Sequence, residues 1–383
     1  DEKDFINCDI VIKGAKTPLD SPYISAAKKA GVPVVMSTAL FAKYAMQEGA
    51  TVVGITGTRG KSTVTHMIHY VLIRANKHIV NKKVILGGNV RGISTLALLP
   101  EVQSGDIAIL ELDSWQLQGF GDLKISPHIS IFTNLMPDHQ DYYPDMESYF
   151  LDKTNIFNNQ KKGDKLFVGS SILERVLAMK PQVEPIVPPA IPRNWSLEII
   201  GEHNRENAAF AVEALRTLGL SEAEIKSGIE SFPGLDGRLQ FVGTVNEVEV
   251  YNDNSATTPE ATIAALRAVG DKQNRKVVLI IGGDEKYLDM AELIAEIPKW
   301  CSKVVLFKER GTDRIRDEVF ALSAQGIDIY EEDGLPATVK RAISIAVPGE
   351  TILFSPAFTS FGKYFENEYD RGNQFVALVN QFR

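Results

Sequence analysis

Residues 54–63 read Gly-Ile-Thr-Gly-Thr-Arg-Gly-Lys-Ser-Thr. An apolar, β-branched run (50–53) enters this stretch and a helix-like pattern (64–68) leaves it. Gly57 and Gly60 free the backbone to curl so that successive N–H groups face one anion, and the start of the following helix adds its positive dipole end. Lys61 can neutralise outer phosphates, and Ser62 or Thr63 can ligate Mg²⁺. The usual pattern has a further glycine where Ile55 stands, so this is the compact Gly-Thr-x-Gly-Lys-Ser form, spanning Gly57, Thr58, Arg59, Gly60, Lys61, Ser62 and Thr63. An ordinary glycine turn with a solvated lysine is the bland reading; the flanking strand and helix favour phosphate binding. The loop implies a nucleoside triphosphate and leaves the reaction open.

Other chemistry-bearing residues fall at strand ends. Glu111 closes a buried-looking strand, where a carboxylate near a phosphate loop can hold Mg²⁺, with Asp113 close behind. Asp138, His139 and Asp141 cluster after the next strand and suit metal ligation or charge neutralisation. Lys153 lies in the amphipathic stretch Ser-Tyr-Phe-Leu-Asp-Lys-Thr-Asn-Ile-Phe and, on spacing alone, reads as a surface lysine. Asn204 and Asn207 share a helix face and can reach one ligand, an N-cap with surface amides being the rival reading. Asp253 follows a strand, with hydroxyls and a helix start at Pro259 beyond it; capping competes with ligand contact there. The Gly-Gly pair before Lys286, and Ser355, Thr359 and Ser360 after a later strand, repeat the strand-end pattern.

The elements that must position these groups are short apolar strands alternating with helices. Residues 9–12 and 32–35 flank a helix at 21–30, and strands at 52–56, 83–86, 107–111 and 129–133 surround the phosphate loop and its helix at 61–75. This alternation predicts an α/β fold with a parallel, doubly wound sheet. The proline-rich residues 181–193 read as an extended connector, a helix follows at 204–218, and a break falls at Phe232-Pro233-Gly234. Strand-like runs at 248–252, 276–281, 303–307 and 351–354 predict a second open α/β sheet.

A chain of 383 residues suggests two or three domains at about 150 residues each. The formal charge of −8 argues against a broad nucleic-acid surface, which needs a basic excess. The two cysteines, Cys8 and Cys301, make no metal spacing and no disulfide framework, which fits a reducing, cytoplasmic setting. No signal peptide is evident, and no apolar run reaches the roughly eighteen residues that span a bilayer. The chain opens at Asp1 inside what reads as a folded domain, so upstream sequence is expected.

Taken together, the ordered motifs resemble the Mur ligase family. They are Gly-Thr-x-Gly-Lys-Ser, Glu-Leu-x-Ser-x-Gln, Asn-Leu-x-x-Asp-His-x-Asp, His-Asn-x-x-Asn, Asn-Asp, Gly-Gly-x-x-Lys and Ser-Pro-Ala-x-x-Ser, with Gly-Gly-Asn at 87–89 and Arg-Gly-Asn-Gln-Phe at 371–375. The pattern is most similar to the members that add D-glutamate to UDP-N-acetylmuramoyl-L-alanine. The resemblance implies a three-domain architecture: a partial N-terminal UDP-substrate domain (1–49), a central P-loop ATPase (50–234) and a C-terminal Rossmann-like amino-acid domain (235–383). It implies a peptidoglycan-precursor ligase working through an acyl phosphate, with ATP and Mg²⁺ at one or two sites. Lys61, His139 and Lys153 would be catalytic; Ser62, Glu111, His139 and a carbamylated Lys153 would serve the metals. Asn204, Asn207, Arg238 and Asp253 would join the loop around ATP. Asn89 would face the muramoyl substrate, Asp113 and Ser114 would be substrate-binding, and Thr257, Lys286, Ser360 and Phe361 would receive the glutamate.

The chain departs from the family pattern at several places. Gly237 and Gln240 stand where histidine and glutamate are usual, Ser255 where lysine is, Asp113 where serine is, and Gly362 where aspartate is. These leave the glutamate enantiomer open. A folylpolyglutamate synthase-like ligase and a non-catalytic nucleotide-binding protein on the same scaffold are the rival readings. Oligomeric state is not legible.

Overall fold

The computed structural model describes every residue except 16, 18–20, 76–81, 139–141, 272, 275 and 361–362. The chain divides into two compact units, Asp1–Leu197 with Asn204–Phe232, and Glu198–His203 with Pro233–Arg383.

In the first unit, a small parallel pair, β1 (Val11–Lys13) and β2 (Val34–Met36), is joined through the helix Pro22–Lys29. Val11, Ile24 and Ala27 form its core. The main sheet comprises β3 (Thr51–Thr56), β4 (Val84–Gly88), β5 (Ile107–Glu111), β6 (Ile129–Phe132), β7 (Lys165–Val168) and β8 (Pro185–Ile186). Its order is β4-β5-β3-β6-β7-β8, with every pairing parallel. Parallel strands are covered on both faces, and Val52, Val53 and Ile55 of β3 are accordingly fully buried. β3 lies between β5 and β6, so the chain leaves its carboxyl end at a crevice where the strand order reverses, the usual ligand position in such sheets. The helix Lys61–Arg74 starts there and packs Val64, Met67, Ile68, Val71 and Leu72 inward.

The second unit holds β9 (Gln240–Val245), β10 (Val248–Asn252), β11 (Val277–Ile281), β12 (Cys301–Phe307), β13 (Asp328–Glu332) and β14 (Thr351–Phe354), ordered β13-β12-β11-β14-β10-β9. All neighbours are parallel except β9 and β10, an antiparallel hairpin. Its two-residue turn places Asn246 (φ 49°) and Glu247 (φ 62°) in the left-handed region, as a primed turn demands. Val278, Ile280, Val305 and Phe354 pack one face of this sheet and Leu279, Ile281, Val304 and Leu306 the other.

Both expected sheets are present, with four strands beyond those read from the sequence: β7, β8, β9 and β13. The stretch 181–193 is not wholly a connector, because Pro185–Ile186 pairs with β7 at the sheet edge. Among the described residues, no helix is long and apolar enough to cross a membrane.

Candidate functional site

The first unit builds a tight glycine turn at the carboxyl end of β3. Gly57 has φ 142°, and a Cβ there would lie 1.9 Å from Thr133 Oγ1; only glycine fits. Gly60 caps the helix Lys61–Arg74 with φ 85°. A Cβ on it would lie 2.3 Å from Asn207 Oδ1, so the amide from helix Glu202–Thr217 touches the loop. Asn207 Nδ2 donates to Asn204 Oδ1 (3.2 Å), and both residues are buried. The two amides thus share the face that their spacing predicted.

Thr133 and Asn134, just past the end of β6, brace the loop. Arg59 N–H donates to Asn134 Oδ1 (2.8 Å), and Arg59 O accepts from Thr133 Oγ1 (2.6 Å) and Asn134 Nδ2 (3.2 Å). Thr58 N–H donates to Asn134 O. Lys61 Nζ folds back to donate to Gly57 O (2.9 Å) and Thr58 O (3.1 Å). Ser62 and Thr63 lie in the first turn of the helix.

Lys153 is not a surface residue. It is 1% exposed, and its Nζ donates to Gly57 O (2.9 Å) and Thr56 Oγ1 (3.3 Å). One helical turn earlier, Tyr149 places its ring 4.7 Å from that nitrogen. The surface reading fails because the helix Met146–Thr154 turns this residue under the loop, with Tyr149 and Phe150 buried around it. Burial, reinforced by the charge of Lys61, holds the Lys153 ammonium well below the ordinary lysine range. Burial also lowers Lys61, which Glu111 opposes. Two amines therefore converge on one carbonyl, and burial disfavours the charged form of both, more strongly for Lys153.

Glu111 ends β5 as a buried carboxylate. Asn89 lies beside it, its N–H donating to Glu111 O (2.8 Å) while its side chain is exposed. Asp113 N-caps the helix Ser114–Asp122: its Oδ1 accepts from Gln116 N–H (2.8 Å), and Gln116 Oε1 accepts from Asp113 N–H (3.2 Å). This capping box gives Asp113 a local task that the sequence reading missed. Ser114 is buried beside it. Asp138 is buried and lies 3.7 Å from the Arg59 guanidinium. His139 and Asp141 lie outside the described residues.

The donor set fits a hard cation. A hydroxyl in the first helical turn and one strand-end carboxylate beside a phosphate loop leave the remaining positions to phosphate oxygens and water, the usual way Mg²⁺ is held. Among the described residues, no group of three acidic, histidine or cysteine side chains forms an all-protein metal cage.

In the second unit, Asp253 is tied into the strand ends. Its Oδ1 accepts from Leu239 N–H (3.1 Å) and its Oδ2 from Ser355 Oγ (2.8 Å). Arg238 is exposed nearby in sequence. Lys286 Nζ donates to Thr257 Oγ1 (3.2 Å), bringing together two residues 29 apart. Ser360 is 1% exposed, and its Oγ has no hydrogen-bond partner among the described residues. Phe361 and Gly362 lie outside them. The buried Arg371 was read only as part of a motif, yet it ties two loops together. Its Nε donates to Asn254 Oδ1 (2.7 Å) and its Nη groups to Asn254 O (3.0 Å), Phe358 O (3.3 Å) and Thr359 O (3.2 Å). Desolvation lowers its pKa to about 10.

Comparison with known proteins gives the family of the chain. Residues 55–182 match the family described as Mur ligase middle domain, and residues 237–358 the one described as Mur ligase, glutamate ligase domain. A Roseiflexus sp. (strain RS-1) protein named UDP-N-acetylmuramoylalanine--D-glutamate ligase is 30% identical, covering 100% of this chain and 86% of the relative. A protein of the same name from Borreliella burgdorferi (strain ZS7) is 32% identical over 99% of this chain and 84% of the relative. Among solved structures, UDP-N-acetylmuramate-alanine ligase MurC from Thermotoga maritima superposes with a TM-score of 0.65 at 21% identity, covering 98% of this chain and 86% of that one.

Proposed function

The chain belongs to the Mur ligase family, and from that premise we propose that it is an ATP-dependent carbon–nitrogen ligase adding D-glutamate to UDP-N-acetylmuramoyl-L-alanine in peptidoglycan precursor synthesis. The observation that carries this reading is the whole-chain similarity to relatives named for that reaction. The same similarity disfavours the L-glutamate, folate and non-catalytic readings.

The substrate carboxylate is a poor electrophile. Its oxygen attacks the γ-phosphorus of ATP, the bond to the β–γ bridging oxygen breaks, and an acyl phosphate and ADP result. The glutamate amine then attacks the acyl carbon, loses a proton and displaces inorganic phosphate, leaving an amide. Lys61 and the loop N–H groups would stabilise charge on the transferring phosphoryl group. Lys61 would first leave the carbonyls of Gly57 and Thr58, which it now satisfies.

Ser62, Glu111 and His139 are the groups we assign to Mg²⁺, which when bound supplies charge neutralisation at the outer phosphates. Lys153 is assigned as a carbamate directed toward a second ion. Burial shifts this lysine toward its neutral amine, the form that adds CO₂ and releases one proton as the N–C bond forms. Asn204, Asn207, Arg238 and Asp253 are assigned to the nucleotide. Asn89 is assigned to the muramoyl substrate, Asp113 and Ser114 to substrate binding, and Thr257, Lys286, Ser360 and Phe361 to glutamate. We assign the divisions 1–49, 50–234 and 235–383 to UDP-substrate, ATP and amino-acid binding, and a cytoplasmic setting to the whole.

The test is incubation with ATP, Mg²⁺, UDP-N-acetylmuramoyl-L-alanine and D-glutamate, followed by mass spectrometry. Formation of the glutamyl product with stoichiometric ADP supports the reading. ATP binding without product overturns it.

A further inference from the structure

We propose that Arg59 is a catalytic arginine supplied from inside the phosphate loop, its guanidinium meeting the transferring phosphoryl group, with Asp138 holding it over the loop mouth beforehand. Arg59 sits between Thr58 and the Gly60-Lys61 pair. Both its backbone polar groups are pinned by Thr133 and Asn134, so the side chain leaves from a fixed point on the loop. Its guanidinium lies 3.7 Å from the Asp138 carboxylate, with side-chain exposures of 28% and 10%. That separation exceeds the 2.7–2.9 Å of a tight charge-assisted hydrogen bond, so Asp138 itself holds the guanidinium only loosely. Arg59 and Asp138 both act electrostatically on Lys61 and on Tyr149, which puts their charges near the lysine rather than on the outer wall.

The chemistry has a use for such a group. As the carboxylate oxygen attacks phosphorus and the bond to ADP breaks, negative charge spreads over the phosphoryl oxygens and the bridging oxygen; no proton moves in this step. A planar guanidinium presents a rigid fork of donors that can meet two of those oxygens bidentately, a geometry that an ammonium does not fix. The competing view is that Arg59 and Asp138 form a structural strap. A partly exposed ion pair of this length is worth about 0–1 kcal/mol, and its loss would leave the reaction rate unchanged.

The experiment uses the full chain with Arg59→Ala and Arg59→Lys. The expected kcat of Arg59→Ala falls on the order of 10²-fold or more, while the KM for ATP stays within about threefold. Arg59→Lys recovers only part of the loss, since charge returns without the fork. A second readout needs no turnover: ADP binding is titrated with and without aluminium fluoride, a mimic of the transferring phosphoryl group. Aluminium fluoride tightens ADP binding to the unaltered protein and not to Arg59→Ala, while ADP alone binds both equally. Arg59→Ala with kcat within about twofold overturns the proposal, as does retained tightening or an equal loss of plain ADP affinity. Should Arg59→Ala fail to fold, Arg59→Gln is read in the same titration. The proposal rests on the ATP-dependent ligase reading, and the arms separate the two. Missing ligase product with the Arg59-dependent tightening intact removes only that reading; product formation with tightening indifferent to Arg59 removes only this one.

Discussion

Replacing Gly60 by alanine changes one torsion angle and one contact. At φ 85° an L-residue bears about 1–2 kcal/mol of steric cost. The new Cβ also lands 2.3 Å from Asn207 Oδ1, so the amide must move. Moving it breaks the buried Asn207–Asn204 hydrogen bond, worth about 1 kcal/mol. Gly60→Ala alone should therefore destabilise the first unit by about 2–3 kcal/mol. Asn207→Ala alone loses the same hydrogen bond and should cost about 1–2 kcal/mol. In that background the clash has gone, and Gly60→Ala should cost only its torsional share. The double-mutant cycle thus has a coupling energy of about 1 kcal/mol. Urea unfolding of all four proteins, followed by tryptophan fluorescence and circular dichroism, reads it. Additivity within about 0.3 kcal/mol would refute the inference that the amide is what the loop presses against.

Lys153 gives a pH signature. Its folded pKa is lowered, so as pH falls below the unfolded lysine value the unfolded chain takes up the proton first and folding stability drops. Stability should rise with pH between the two values, by up to about 1.4 kcal/mol per pH unit per proton, with part of that slope missing in Lys153→Met. Equal slopes in urea titrations at pH 7–9.5 would contradict the burial account. Lys286→Ala should raise the KM for glutamate tenfold or more, an effect of about 1.4 kcal/mol, with the KM for ATP unchanged; steady-state kinetics decides. Arg371→Met should cost about 3 kcal/mol or more, because it strips partners from the carbonyls of Asn254, Phe358 and Thr359 at once. A melting temperature unchanged within two degrees would show the guanidinium dispensable.

What was legible in the sequence was contiguous. The phosphate loop carries its glycines, lysine, entering strand and leaving helix within one short window, and Glu111 sits at the end of five consecutive buried residues. Asn204 and Asn207 follow from helical spacing alone. Lys153 does not, because its burial depends on Thr56 and Gly57, 97 and 96 residues away. Arg371 is the same case, held by Asn254 at a separation of 117. Asp253 reads as a ligand group or cap; the partners its two oxygens hold, Leu239 N–H and Ser355 Oγ, are supplied only by the fold. Strands β7 and β13 escaped notice for a related reason. β7 is four residues behind a polar turn, and β13 is a half-buried edge strand, Asp-Ile-Tyr-Glu-Glu, with little apolar contrast. Their existence is decided by the neighbour each one pairs with, β6 and β12, more than by their own residues.

The most direct measurement is phosphate release from ATP with UDP-N-acetylmuramoyl-L-alanine across a panel of D- and L-amino acids. The account predicts release that requires both the UDP-sugar and D-glutamate. Release driven by L-glutamate, or by no amino acid in the panel despite measurable ATP binding, would contradict it.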